Sequence, residues 1–271
     1  MSRFCMTLCC FVLIAPGAYA ESELELWSIW SASDESIETT IDHSAWGEFL
    51  GRYVQAHESG INFVAYADVA SRDRIALQAY IKRLTDGDPR QLRKTEQLVY
   101  WVNLYNALTV EVVLRNPNED SIQDMGDGFF SSGPWGDKLI EIAGESLSLD
   151  DIEHRILRPI WRDHRLHYAV NCASISCPNL ATVPYTAKNV EEMFIAAEQS
   201  YINHSRGVSF DVRGRLTLSN IYTWYSGDFA NDEAALLQYL STHHATTADR
   251  LREYTGRIQY DYDWNLNAPI N

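Results

Sequence analysis

Segments with helical spacing follow one another in runs along this chain, separated by short hairpins, and that order argues against regular βαβ alternation and for an α+β fold. Trp46, Phe49, Leu50, Tyr53 and Val54 recur at helical spacing after Ser44, a candidate N-cap. A strand-like stretch, 62–66, leads to a second helix with Ile75, Tyr80, Ile81 and Leu84 on its buried side. The breaker cluster Thr85-Asp-Gly-Asp-Pro89 ends it. The longest helix is predicted over about 94–114, with Leu98, Trp101, Tyr105, Leu108 and Val112 as its apolar stripe and Asn116-Pro117 as its stop. A loop rich in Gly and aromatics, 126–136, follows. Hairpins are expected over 138–149, around Ala143-Gly144-Glu145, and over 208–218, around Arg213-Gly214. Between them Ser148 and Asp151 form a capping-box analogue that opens a helix over 150–157, closed by Pro159. The apolar run 166–171 reads as a buried strand, Thr186 caps a further helix to about Asn203, and short helices follow near 221–225 and 233–239. The expected architecture is one domain of helices packed around a small antiparallel sheet.

The first twenty residues have the layout of a secretory signal. Arg3 is a short positive start, 5–16 is almost uninterruptedly apolar, and Ala18-Tyr-Ala20 is a small-x-small cleavage site. The apolar run is shorter than the roughly 20 residues that span a bilayer. Residues 21–59 are then an N-terminal polar segment and first helix, and 60–271 the domain proper. The expected location is periplasmic or secreted. The formal charge of −15 becomes −16 once a segment with one Arg and no acid is removed. Such a balance excludes a nucleic-acid binder, which needs a basic face, and argues against docking on anionic lipid. No Gly-rich phosphate loop or nucleotide fingerprint is present, so no cofactor is expected. A hydrophobic content of 46% over the 271 residues suffices for a substantial core.

Several separate motifs, in order, resemble the domain of unknown function 547 family: Trp101-Val-Asn-Leu-Tyr-Asn-Ala107, Gly133-Pro-Trp135, Leu149-Asp-Asp-Ile-Glu-His154 with Arg158-Pro159, and Asn171-Cys-Ala-Ser-Ile-Ser-Cys-Pro178. Tyr185-Thr186, Leu218-Ser219, Trp224-Tyr225 and the terminal Tyr262-Asp-Trp-Asn-Leu-Asn267 extend the likeness from about residue 60 to the end. Members occur widely in bacteria, often exported. The resemblance implies no particular activity.

Chemistry is therefore sought in the residues. Of five cysteines, Cys5, Cys9 and Cys10 lie in the signal segment, leaving Cys172 and Cys177. A cysteine nucleophile needs a neighbour that lowers its pKa from about 8.5. His167 and His154 are the candidate bases, with Asp150, Asp151 or Glu153 as the orienting acid, although strand parity over 166–171 would turn His167 away from Cys172. Asn103 and Asn106, three apart on one helix face, could polarise a substrate or brace a neighbouring loop. Two function classes follow. One is a thiol-dependent hydrolase or acyl transferase acting on a small-molecule or peptide substrate. The other is a non-catalytic periplasmic binding or assembly module stapled by a Cys172–Cys177 disulfide, which an oxidising compartment would promote. A zinc site of His154, His167, Cys172 and Cys177 is a weaker third reading, since no ligand pair has metal spacing. Trp135, Trp161, Trp224 and Trp264 read as core and lid aromatics, and 260–264 as a solvated terminal strand.

Overall fold

The structure is a computed structural model and describes residues 25–127 and 133–269. The segment read as a secretory signal, and part of the loop at 126–136, lie outside the described residues.

Helix α1 (Ser44–Tyr53) leads into the hairpin β1 (Val54–Ala56) and β2 (Asn62–Val64), followed by α2 (Ser71–Thr85) and α3 (Lys94–Arg115). The N-cap of α1 is His43, not Ser44, and just before it the Asp42 carboxylate accepts from the Ser44 N–H at 2.8 Å. The buried face of α2 is carried by Leu77, Tyr80, Ile81 and Leu84. Ile75, expected on that face, is 65% exposed.

The 22-residue α3 is the axis of the molecule. An amphipathic stripe was expected, yet every residue from Val99 to Leu114 is buried, as in a helix enclosed on all sides. Trp101 meets Trp30 edge to face at 5.3 Å. This enclosure forces the polar side chains Asn103, Asn106, Thr109 and Glu111 into the interior, where each must find a partner.

The second hairpin, β3 (Ile140–Ile142) and β4 (Glu145–Leu147), falls where the sequence put it. The capping box after it forms as read. The Ser148 N–H donates to Asp151 Oδ2 at 2.9 Å, and the Asp151 N–H donates back to Ser148 Oγ at 3.2 Å. The helix it opens is not an ordinary α-helix. Residues Asp151–Leu157 are π-helical, with the Arg158 N–H donating to the Glu153 carbonyl, and continue into α4 (Arg158–Trp161). Pro159 does not close it. Proline brings no N–H and crowds the carbonyl four residues back, and the wider register relieves both. The chain ends this helix at Arg162, which takes a left-handed φ of 51°.

The expected strand at 166–171 is instead a helical turn, α5 (Leu166–Ala169). A short apolar run cannot distinguish strand from helix by periodicity. The turn-forming Asp163 decides it: its carboxylate accepts from the Arg165 N–H at 2.9 Å and its carbonyl from the Leu166 N–H at 3.1 Å. The long α6 (Val190–Ile202) packs on α5, and the hairpin β5 (Val208–Phe210) and β6 (Leu216–Ser219) follows. Short helices α7 (Ile221–Trp224) and α8 (Ser226–Phe229) lead to α9 (Glu233–His243) and α10 (Ala248–Arg252), and β7 (Gln259–Asp261) pairs parallel to β6. The α+β class holds. Strand pairing, however, is spread over two separate hairpins and one three-stranded sheet, and the β6–β7 pair is parallel.

The core has one large apolar cluster around α1–α3 and a second around α6, α9 and β5–β7. Helix α5 lies at their seam. Leu166 and Ala169 belong to the first cluster and Tyr168 to the second.

At Gly133, φ is +132° and an added Cβ would lie 1.8 Å from the Trp135 ring. Gly133→Ala is therefore expected to destabilise the fold by about 1–3 kcal/mol through strain and overpacking. Chemical denaturation followed by tryptophan fluorescence measures this, and a neutral effect would contradict the packing of Trp135.

Candidate functional site

A cavity of about 640 Å³ opens near the seam, lined by Cys172, Cys177, Glu153, His154, His167 and Asp150 on its polar side and by Trp135, Trp224, Trp264, Tyr225 and Tyr262 on its aromatic side. Its size suits a small ligand.

The cysteine segment is held from three directions. From α3, Asn106 donates to the Ala169 carbonyl at 3.0 Å and accepts from the Asn171 N–H at 2.8 Å. Within the segment, Asn171 accepts from the Ala173 N–H at 2.9 Å and donates to the Pro178 carbonyl at 2.7 Å, closing a loop in which Ala173 takes a left-handed φ of 60°. From the far end of the chain, 263–267 is laced to the loop. The Ile175 N–H donates to the Asn265 carbonyl at 2.8 Å, and the Asn267 N–H to the Ala173 carbonyl at 2.9 Å. Arg206 donates to the carbonyls of Ile175 and Cys177 at 2.9 and 2.7 Å. Asn103 does the same work elsewhere, donating to the Tyr185 carbonyl at 2.7 Å and accepting from its N–H at 3.1 Å. The two α3 amides thus brace backbone, and neither lines the cavity.

Cys172 and Cys177 are both free thiols, so the expected staple is not formed. The Cys172 N–H donates to Cys177 Sγ at 2.9 Å. Around Cys172 Sγ stand the hydroxyls of Tyr262 at 3.1 Å and Ser174 at 3.2 Å. Ser174 is placed to donate to the Tyr262 oxygen at 3.1 Å, which frees the Tyr262 proton for the sulfur. Burial pushes the Cys172 thiol up, but hydrogen bonds from Cys177, Ser174 and Tyr262 more than offset it and hold the thiol below its ordinary value. Burial, together with the neighbouring Cys172 thiolate, pushes Cys177 well up. The pair is therefore asymmetric, with the more readily ionised sulfur partly open to the cavity and the less acidic sulfur behind it.

Neither histidine touches a sulfur among the described hydrogen bonds, which corrects the expected Cys–His contact. His167 Nε2 lies 2.7 Å from Asp228 Oδ2, its Nδ1 faces Glu153 Oε1 at 3.6 Å, and its ring stacks on Tyr225 at 4.1 Å. Since a carboxylate only accepts, Nε2 carries the proton. Arg158 donates to the same Asp228 oxygen at 2.6 Å and to His154 Nδ1 at 3.1 Å. Arginine only donates, so His154 Nδ1 accepts and its Nε2 presents the proton toward Asp150 Oδ1, 3.6 Å away. Burial raises Glu153, but its neighbours His154, His167 and Arg158 outweigh it and hold the carboxyl at about 2. Tyr105 donates to Glu153 Oε2 at 2.9 Å. Asp150 moves the other way. Burial and the nearby carboxylates Glu153 and Asp151 raise it against the pull of His154. Asp151 faces away from this group, held at about 2: burial raises it, but Lys138, Ser148 and Arg155 outweigh that.

The sequence reading missed Asp228, Arg158, Tyr225, Ser174 and Tyr262. The stretch expected to be a solvated terminal strand sends Tyr262 to the sulfur and Trp264 into the cavity wall. Among the expected aromatics, Trp161 stands apart, half-buried with Lys94 Nζ 4.9 Å from its ring centre. No group of three or more His, Cys, Asp or Glu among the described residues has the arrangement to hold a metal ion, so the zinc set does not converge.

Glu153 predicts a pH dependence of stability. Its folded value of about 2 lies below its ordinary 4.5, so its stabilisation is complete above pH 4.5 and is lost as pH falls through about 2. Glu153→Gln is expected to lower stability at neutral pH and to flatten the decline between those limits. Urea midpoints measured across pH 2–6 test this, and identical slopes for variant and wild type would contradict it.

No curated protein and no solved structure matches the chain. Among the described residues, no helix is long and apolar enough to cross a membrane. The family model described as "Protein of unknown function, DUF547" matches residues 89–202, a span that includes α3, the π-helix and the cysteine loop but stops short of Asp228 and Tyr262. The match over residues 89–202 is to the same family that the sequence motifs resemble.

Proposed function

We propose that this protein is a thiol-dependent hydrolase or acyl transferase with Cys172 as its nucleophile. The observation that carries this reading is the setting of the sulfur, which faces the cavity with two hydroxyls and a second thiol gathered around it. The thiolate is the attacking species, so a lowered pKa raises the reactive fraction near neutral pH. Attack on an ester, thioester or amide carbonyl forms the carbon–sulfur bond and a tetrahedral adduct. Its collapse expels the leaving group and leaves an acyl thioester on Cys172. The leaving group needs a proton, which water admitted to the cavity supplies beside His154 and Asp150 on its wall. Water or a second nucleophile then takes the acyl group.

His167 acts here as a positioning residue. Buried between Asp228 and Glu153, it ties the π-helix to α8, and its ring supports Tyr225. The tryptophan-lined side favours flat or apolar acyl groups. The secretory layout of the first twenty residues supports action outside the cytoplasm.

The test is a panel of aryl thioesters, with adducts mapped by mass spectrometry on the tryptic peptide 166–188, which holds both cysteines. Cys172→Ser is expected to abolish turnover and the adduct. Tyr262→Phe should slow turnover at neutral pH about tenfold, the equivalent of roughly one pKa unit, and move the pH–rate profile upward. An adduct that forms on other residues, or on none across the panel, would remove the reading.

A further inference from the structure

The acyl-transfer reading uses one sulfur, yet the loop delivers two. Cys177 is 4% exposed, lies against the Cys172 N–H, and has the Val170 carbonyl 3.9 Å from its sulfur. Both sulfurs border the same cavity, and a five-residue spacing permits a bridge. The loop that carries them is fixed at its two ends by one side chain, Asn171. In the acyl-transfer step Cys177 serves only as a neighbour of Cys172 and its own sulfur never reacts.

We propose that Cys172 and Cys177 form a reversible dithiol–disulfide couple that exchanges with low-molecular-weight disulfides entering the cavity, Cys172 attacking and Cys177 resolving. This extends the reading above, with which it shares only the nucleophile. In the first step the Cys172 thiolate attacks one sulfur of a disulfide RS–SR. A Cys172–SR bond forms, the substrate S–S bond breaks, and the departing thiolate RS⁻ takes up a proton as RSH. In the second step Cys177 gives up its proton and attacks Cys172 Sγ, expelling the second RS⁻, which leaves as RSH. Two protein thiols are oxidised to one disulfide, and one substrate disulfide is reduced to two thiols. Excess thiol of the same class drives the reverse.

The arrangement suits both steps. Before attack, the contact with Cys177 helps hold the Cys172 thiol below its ordinary value. After attack, the Cys172 charge is gone and with it one of the causes that hold the Cys177 proton in place. The aromatic side of the cavity shields the mixed disulfide from bulk solvent while the Cys177 sulfur stays behind it. Exchange of this kind needs an attacking thiol of lowered pKa and a resolving thiol within reach.

The experiment treats the full-length protein with 2-hydroxyethyl disulfide and follows peptide 166–188 by mass spectrometry after alkylation of remaining thiols. Wild type is expected to release two molecules of 2-mercaptoethanol for each bridge formed and to yield that peptide lacking two hydrogens, with 2-mercaptoethanol restoring it. Cys177→Ser should stop at a mixed disulfide on Cys172, and Cys172→Ser should gain none on Cys177. A wild-type protein that accumulates the mixed disulfide without closing the bridge, or a Cys172→Ser variant modified at Cys177 as fast as wild type at Cys172, overturns the proposal. Wild-type protein alone decides whether the bridge closes, so poor folding of a variant does not obscure the answer. Thioester turnover without bridge formation would defeat this inference and leave acyl transfer standing. Bridge formation without any acyl adduct would do the reverse.

Discussion

The cavity depends on two hydrogen bonds made by one amide. Asn106 sits on the fully enclosed helix α3, where its side chain must be paired, and the partners it finds are the Ala169 carbonyl and the Asn171 N–H. Leaving such a buried amide without partners costs about 1–3 kcal/mol per group, so the helix and the cysteine segment are locked in register. Asn171 continues the chain of bonds, closing its own loop onto Pro178 and holding Ala173 in its left-handed conformation. The positions of both sulfurs follow from that clamp. The C-terminal segment 263–267 then overlies the loop through backbone bonds, so a reactive-looking sequence is held as firmly as a core strand.

Around this clamp the charges are arranged with little slack. Glu153 and Asp228 are matched by Arg158 and His167, and Tyr225 lies between the guanidinium, 4.9 Å from its ring, and the stacked imidazole. Buried charges persist only when paired and hydrogen-bonded, and each carboxylate here meets that condition. The network explains why the histidines are turned from the sulfurs. Opposite charges nearby claim them more strongly than a thiol would. The sulfur draws instead on neutral neighbours, the Tyr262 hydroxyl backed by Ser174 and the adjacent Cys177, which favour a thiolate without adding a charge that would itself need burial.

Much of this was legible in local sequence. The extent of α3, the hairpins β3–β4 and β5–β6 and the Ser148–Asp151 capping box depend on neighbours a few residues apart, and each falls where its pattern placed it. Asn103 and Asn106 stood out because amides are poor helix formers, and they prove to brace backbone. Glu153, His154, His167 and the two cysteines do border one cavity. What local pattern could not supply was pairing at a distance. Asp228 meets His167 across 61 residues and Tyr262 meets Cys172 across 90, and no spacing rule connects them. The run 166–171 was misread because so short an apolar stretch fits a helical turn as well as a strand, and the deciding signal, Asp163, lies outside the run. The π-helix escaped notice because Pro159 reads as a stop, whereas here the wider turn accommodates it.

The central claim is that Cys172 is the more acidic, cavity-facing sulfur and Cys177 the less acidic one behind it. The rate of iodoacetamide alkylation of each cysteine, read on peptide 166–188 across pH, tests this most directly. The account predicts a Cys172 midpoint below the ordinary thiol value of 9.0, with Cys177 unmodified until the fold is disrupted. Equal rates at the two sulfurs, or a Cys172 midpoint at or above that ordinary value, would contradict it.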